Sequence, residues 1–188
     1  MQTTARMDGR RFCTHPLNRS FLNRLFRSLL LFPFVTLASF AAELTPEQEH
    51  LNHYVGVWDG TLTSLPEAKI RINCEWTLGG AFLRHSLTVQ PTPDAQPITV
   101  LQLMTYDATK QIYRAWSFYS NGSSVQGEGA WDAAVKTFTW TYHEEANGTT
   151  TVTKVSFPDA DSESTVTQAT NRDGKVISEI RGTKTRRE

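Results

Sequence analysis

Ile70-Arg-Ile-Asn-Cys-Glu-Trp-Thr77 is the stretch that decides the fold. Ile70, Ile72, Cys74 and Trp76 alternate with Arg71, Asn73, Glu75 and Thr77, so one side is apolar and the other polar. A period of two sends successive side chains to opposite faces of a strand. Working outward, the same texture recurs and predicts ten strands, over residues 55–63, 68–77, 82–90, 97–106, 111–120, 123–131, 135–143, 149–157, 163–170 and 175–183. The breaks between them carry turn chemistry: Gly79-Gly80, Asp107 to Lys110, Asn121-Gly122, Asn147-Gly148, Pro158-Asp159 and Arg172-Asp173-Gly174. Asn-Gly supplies the positive φ angles of tight hairpins, and strands at hairpin spacing with no crossover helix pair antiparallel. An open sheet of ten strands leaves two bare edges and an uncovered face. Closure into an up-and-down barrel removes both problems, so the expected class is an all-β antiparallel barrel; a two-sheet sandwich is the alternative.

One helix precedes the strands. Leu44-Thr-Pro-Glu-Gln-Glu-His-Leu-Asn-His53 places Thr45 as N-cap, Pro46 at the first helical position and Gln48 three residues after the cap. That is a capping box, with the proline where its missing N–H costs nothing, and the helix is expected to stop by Gly56.

Further toward the N-terminus the composition changes. Residues 1–28 hold Arg6, Arg10, Arg11, Arg19, Arg24 and Arg27 against Asp8, and the apolar run Leu29 to Phe40 ends in Ser39-Phe40-Ala41. A basic segment, a short apolar core and a small-residue exit predict a secretory signal peptide over residues 1–41. Residues 42–188 then form a single domain, secreted or periplasmic, with no transmembrane span after cleavage. That domain carries 13 basic and 18 acidic residues, an acidic balance that argues against nucleic acid as a partner. Cys13 leaves with the leader, so Cys74 has no disulfide partner and the core must hold the fold unaided.

Several motifs point to a known family. Val55-Gly56-Val57-Trp58-Asp59-Gly60, after a short helix and at the start of the first strand, resembles the Gly-x-Trp signature that opens lipocalin-type (calycin) barrels. The resemblance implies that Trp58, introduced by Gly56, closes one barrel end, with Arg181 from the last strand packed across its indole. A cation–π contact of that kind is worth about 0.5–2 kcal/mol. Trp76-Thr-Leu-Gly-Gly-Ala-Phe-Leu83, Met104-Thr-Tyr-Asp107 with Tyr113-Arg-Ala-Trp116, and Gly127-Glu-Gly129 with Trp131-Asp132 resemble, in order and spacing, the DUF1579 family of uncharacterised bacterial proteins. The family implies a calycin barrel and no established activity. In the related nitrobindins a histidine holds haem, but the expected His-Leu pair near the C-terminal end is missing here, so no cofactor is implied.

No His-Glu-x-x-His, Gly-x-Ser-x-Gly or Gly-rich phosphate loop is present, and no catalytic residue is assigned. His50 and His53 lie on one helix face, and two ligands alone make a poor metal site, so they are expected to be solvated. Cys74 is expected to be a buried, inert thiol, and Glu144-Glu145 a solvated turn. The richest region is Ile112 to Trp131 with the strand after Gly79-Gly80. The expectation is that some of Arg84, His85, Trp116, Tyr119, Gln126 and Glu128 point into an aromatic-walled cavity and orient one small apolar or amphipathic ligand. Two alternatives remain open: an enzyme using Glu128, Arg84 or His85 in the same cavity, and a filled barrel acting as an envelope interaction module.

Overall fold

The computed structural model describes residues 44–188, so the predicted signal peptide lies outside the described residues. Ten strands follow a short helical segment: β1 Gly56–Leu62, β2 Leu65–Thr77, β3 Phe82–Gln90, β4 Ile98–Asp107, β5 Ile112–Tyr119, β6 Ser124–Asp132, β7 Thr137–Glu144, β8 Thr149–Ser156, β9 Ser162–Thr170 and β10 Val176–Arg186. Each pairs antiparallel with its sequence neighbours, and β1 pairs with both β2 and β10, so the sheet closes into a barrel. The sandwich alternative is thereby excluded. Closure satisfies the edge N–H and C=O groups that a sandwich leaves bare.

The helical segment is shorter than the sequence implies: α1 spans Pro46–His50 and tightens into a 3-10 turn over Leu51–Tyr54. The capping box forms as expected, with Thr45 Oγ1 accepting from the Gln48 N–H at 3.2 Å and Gln48 Oε1 accepting from the Thr45 N–H at 3.0 Å. The reason for the tightening lies in what the segment must do. It plugs one end of the barrel, where Leu51 and Tyr54 are fully buried among Leu83, Met104, Tyr113, Phe138 and Trp140. Side chains of the wall tie it down: Trp58 Nε1 donates to the Tyr54 carbonyl at 2.8 Å, Trp76 Nε1 to Asn52 Oδ1 at 2.7 Å, and the Tyr113 hydroxyl to the Glu47 carbonyl at 2.9 Å.

His50 and His53 belong to this plug and are not solvated as the sequence suggests. Both stack on the Trp131 ring, at centroid distances of 5.3 and 5.1 Å, and His53 also stacks on Phe157. Partial burial, with the nearby charge of Lys136 second, lowers the His53 pKa below its ordinary value.

The indole at the closed end is Trp58, 1% exposed, but its cation is Arg186 and not Arg181. The Arg186 guanidinium carbon lies 4.1 Å from the ring centroid, and Trp58 and Arg186 are register partners across β1 and β10. The same guanidinium donates to the carbonyls of Val55 and Ala160, so it also clamps the entry to β1 against the β8–β9 loop. Gly56 makes this possible: it sits at φ +129°, and any Cβ there would collide with the Arg186 Nη1. Arg181 fails for two reasons. It lies five positions before Arg186, an odd offset that turns it to the outer face, and about 17 Å of strand lies between them. It is mostly exposed and pairs with Glu179 at 2.7 Å.

Candidate functional site

The barrel interior divides into a packed half and a hollow half. Near the plug, aromatic rings fill the space: Tyr54, Tyr113, Trp131, Phe138, Trp140 and Phe157 meet at centroid distances of 4.6–6.4 Å. Toward the opposite end lies a cavity of about 380 Å³, floored by Tyr54 and Trp140 and reaching solvent beside Tyr119 and Ile180. This mouth is formed by hairpin ends, since Tyr119 closes β5 and Glu144, also on the lining, closes β7.

Strand parity decides which side chains line it. On β3 and β5, His85 and Tyr119 face inward and line the cavity. Arg84, Trp116, Gln126 and Glu128 occupy the opposite parity and stand on the outer wall, which corrects the expectation that they join the cavity. Arg84 is ion-paired to Glu75, Arg114 lies over Trp116 at 5.7 Å, and Trp116 is the register partner of Gln126. Glu128 faces Arg114 across the β5–β6 pairing. The reason is steric and resides in Gly127 and Gly129. A Cβ at Gly129 would come within 2.6 Å of the Trp140 ring, and one at Gly127 would collide with the Tyr142 ring. Only glycine leaves room on the inner face for two large rings from β7, so the polar residues between them must point out.

Over Gly127 the Tyr142 ring reaches across β6, and its hydroxyl meets an amide on β4. Gln102 Nε2 donates to Tyr142 Oη at 2.9 Å and to Ser117 Oγ at 3.0 Å. Thr153 and Thr167 pair with each other at 3.0 Å on the far wall. At the base, Lys184 forms an ion pair with Glu163, whose side chain is 1% exposed and also accepts from Thr165 Oγ1 at 2.9 Å. Gly60, the register partner of Lys184, leaves room for the lysine stem, since a Cβ there would lie 3.1 Å from Lys184 Cγ.

His85 lines the cavity beside Gln102, its register partner on β4. Burial first, and the Lys184 charge second, depress its pKa from 6.5 to about 3. It is therefore a neutral imidazole at pH 7, a hydrogen-bonding group and a weak base. Burial raises the pKa of Tyr54 and Tyr142 above the ordinary phenol range, so both hydroxyls keep their protons. Burial likewise raises the Cys74 pKa, and the inert-thiol expectation matches its position behind the β1–β2 wall.

The depressed His85 pKa has a consequence for stability. Between pH 6.5 and about 3 the unfolded chain carries a proton on His85 that the folded chain does not. Stability is thus at its full value above pH 6.5 and declines as the pH falls toward 3, by a few kcal/mol in total. His53, lowered in the same direction, adds to the slope. Urea titrations of wild type and His85→Leu across this range are expected to show a shallower acid decline in the variant. Parallel curves would contradict the assignment.

Of the cavity lining, Gln102, Ser117, Tyr142 and Lys184 escape sequence reading. Gln102 alone left a signal, as an amide at the same parity as Met104 and Tyr106 in an apolar strand. Thr149 to Thr153 has similar residues on both faces, and Lys184 sits in a charged C-terminal stretch that reads as solvated.

Fold and site together define a closed ten-stranded barrel, plugged at one end by its N-terminal segment and hollow with a polar wall at the other. The family model described as "Protein of unknown function (DUF1579)" matches residues 43–186, and the chain belongs to that family. No curated protein matches the chain.

Proposed function

We propose that this is a lipocalin-like (calycin) barrel that binds a small apolar or amphipathic molecule in the cavity beneath the open mouth, and that it acts outside the cytoplasm after loss of residues 1–41. The observation that carries the reading is the hollow itself. A volume of about 380 Å³ is at the lower end of small-molecule sites, and its wall combines apolar and aromatic surface with a few placed polar groups. Leu87, Val100, Val125 and Ile180 supply apolar wall, while His85, Gln102 and Tyr142 supply hydrogen-bonding groups. A filled barrel acting only as an interaction module gains no support from such a space.

Native mass spectrometry of the protein purified from its own host tests both parts. The expected spectrum shows a chain beginning at Ala42 that retains a small molecule. A neutral fluorescent probe, N-phenyl-1-naphthylamine, is expected to brighten on binding the ligand-free protein. Protein that repeatedly carries nothing and leaves the probe dark would overturn the binding reading, and a mature chain retaining residues 1–41 would overturn the export reading.

A further inference from the structure

The polar wall of the cavity also specifies what kind of head group it accepts; this step rests on the ligand-binding reading above. Gln102, Ser117 and Tyr142 form one cluster in which the amide nitrogen donates to both hydroxyl oxygens. Together these groups own four protons, two on the amide and one on each hydroxyl. Two are consumed inside the cluster. If the amide is turned over, the hydroxyls donate to its oxygen and its own two N–H groups are left free. In either orientation two polar protons remain without a described acceptor, on a wall that faces the hollow.

Beside the cluster stands His85, the register partner of Gln102 on β3, whose imidazole is neutral at pH 7 and carries one N–H and one acceptor nitrogen. The cluster thus turns two protons toward the hollow, beside lone pairs of its own on the amide or hydroxyl oxygens. Charge narrows the choice further. The cation that lines the cavity, Lys184, is already neutralised by Glu163, and Glu144 stands at the rim. A carboxylate head would enter a cavity whose one described lysine is already paired, with no free cation among the described lining residues to offset its loss of water. An uncharged oxygen with two lone pairs meets the donors without that cost.

We propose that the cavity selects an uncharged amphipathic molecule whose polar end is a carbonyl-type oxygen, received by the Gln102–Ser117–Tyr142 cluster with its apolar body toward the mouth.

Three probes of one shape separate the possibilities by calorimetric titration: 2-acetylnaphthalene, 2-isopropenylnaphthalene and 2-naphthoate. The ketone is expected to bind about tenfold tighter than the alkene, the effect of two neutral hydrogen bonds, and tighter than the carboxylate. Tyr142→Phe is expected to cut the ketone's advantage to about threefold and to leave alkene binding unchanged. Ser117→Ala provides the same readout should the ring substitution disturb folding. Equal binding of ketone and alkene would overturn the head-group assignment while the cavity reading stands. Tightest binding of 2-naphthoate would overturn it in favour of an anionic head. Failure of all three to bind a protein that still brightens N-phenyl-1-naphthylamine would also overturn it. Failure of every probe, that dye included, would remove the cavity reading itself.

Discussion

Replacing Trp58 with alanine is expected to cost about 3–5 kcal/mol of stability, as for other buried tryptophans. The indole is 1% exposed, packs with Ile70 and Ile72, and holds the plug through its hydrogen bond to the Tyr54 carbonyl. The substitution leaves a cavity and an unpaired buried carbonyl, and it also strips Arg186 of the ring it covers. Arg186→Ala should cost less, about 1–3 kcal/mol, because it removes the cation–π contact and the bonds to Val55 and Ala160 but little apolar volume. Arg181→Ala should leave the melting temperature at the wild-type value, since that side chain is exposed on the outer wall. Chemical denaturation of the three variants tests the whole arrangement. If Arg181→Ala destabilised more than Arg186→Ala, the closed end would not rest on the Trp58–Arg186 contact.

The second large effect is expected at the ion pair in the barrel floor. Glu163 is 1% exposed in its side chain and Lys184 is 17% exposed, so the carboxylate is the deeper partner. Lys184→Met leaves that carboxylate with Thr165 as its remaining side-chain donor and should cost about 3–5 kcal/mol. Glu163→Leu combined with Lys184→Met should recover most of the loss, because an apolar pair of similar volume removes the uncompensated charge. A double-mutant cycle in urea measures the coupling directly. A single Lys184→Met variant within about 1 kcal/mol of wild type would show that water reaches Glu163 and that the pair contributes little.

Local patterns carried the strand map a long way. The alternation at Ile70 to Trp76, the Asn-Gly turns and the capping box at Thr45 all depend on residues close in sequence, and each corresponds to an observed element. The strand that closes the barrel against β1 is longer than the sequence pattern implies. β10 continues to Arg186, three residues beyond its expected end, because register with β1 carries it on to Trp58. Nothing in Thr183-Lys-Thr-Arg186 distinguishes a paired strand from a charged tail. In the same way, Tyr113, Trp116, Phe118 and Tyr119 put aromatics on both faces of β5, so alternation could not tell the inner wall from the outer.

By itself, then, the chain's order of residues determined ten antiparallel strands, their turns, a capped helical start and the glycines that permit them, because all of these follow from backbone preferences and two-residue periodicity. Closure of the barrel decided the rest. Which arginine covers Trp58, which residues of each strand look inward, and how Gln102, Ser117 and Tyr142 meet across three strands depend on register between segments far apart in sequence. Register is set by the packing of whole faces, Tyr142 over Gly127 and Trp140 over Gly129 above all, and a single strand read alone holds no record of the partner that fills its gaps.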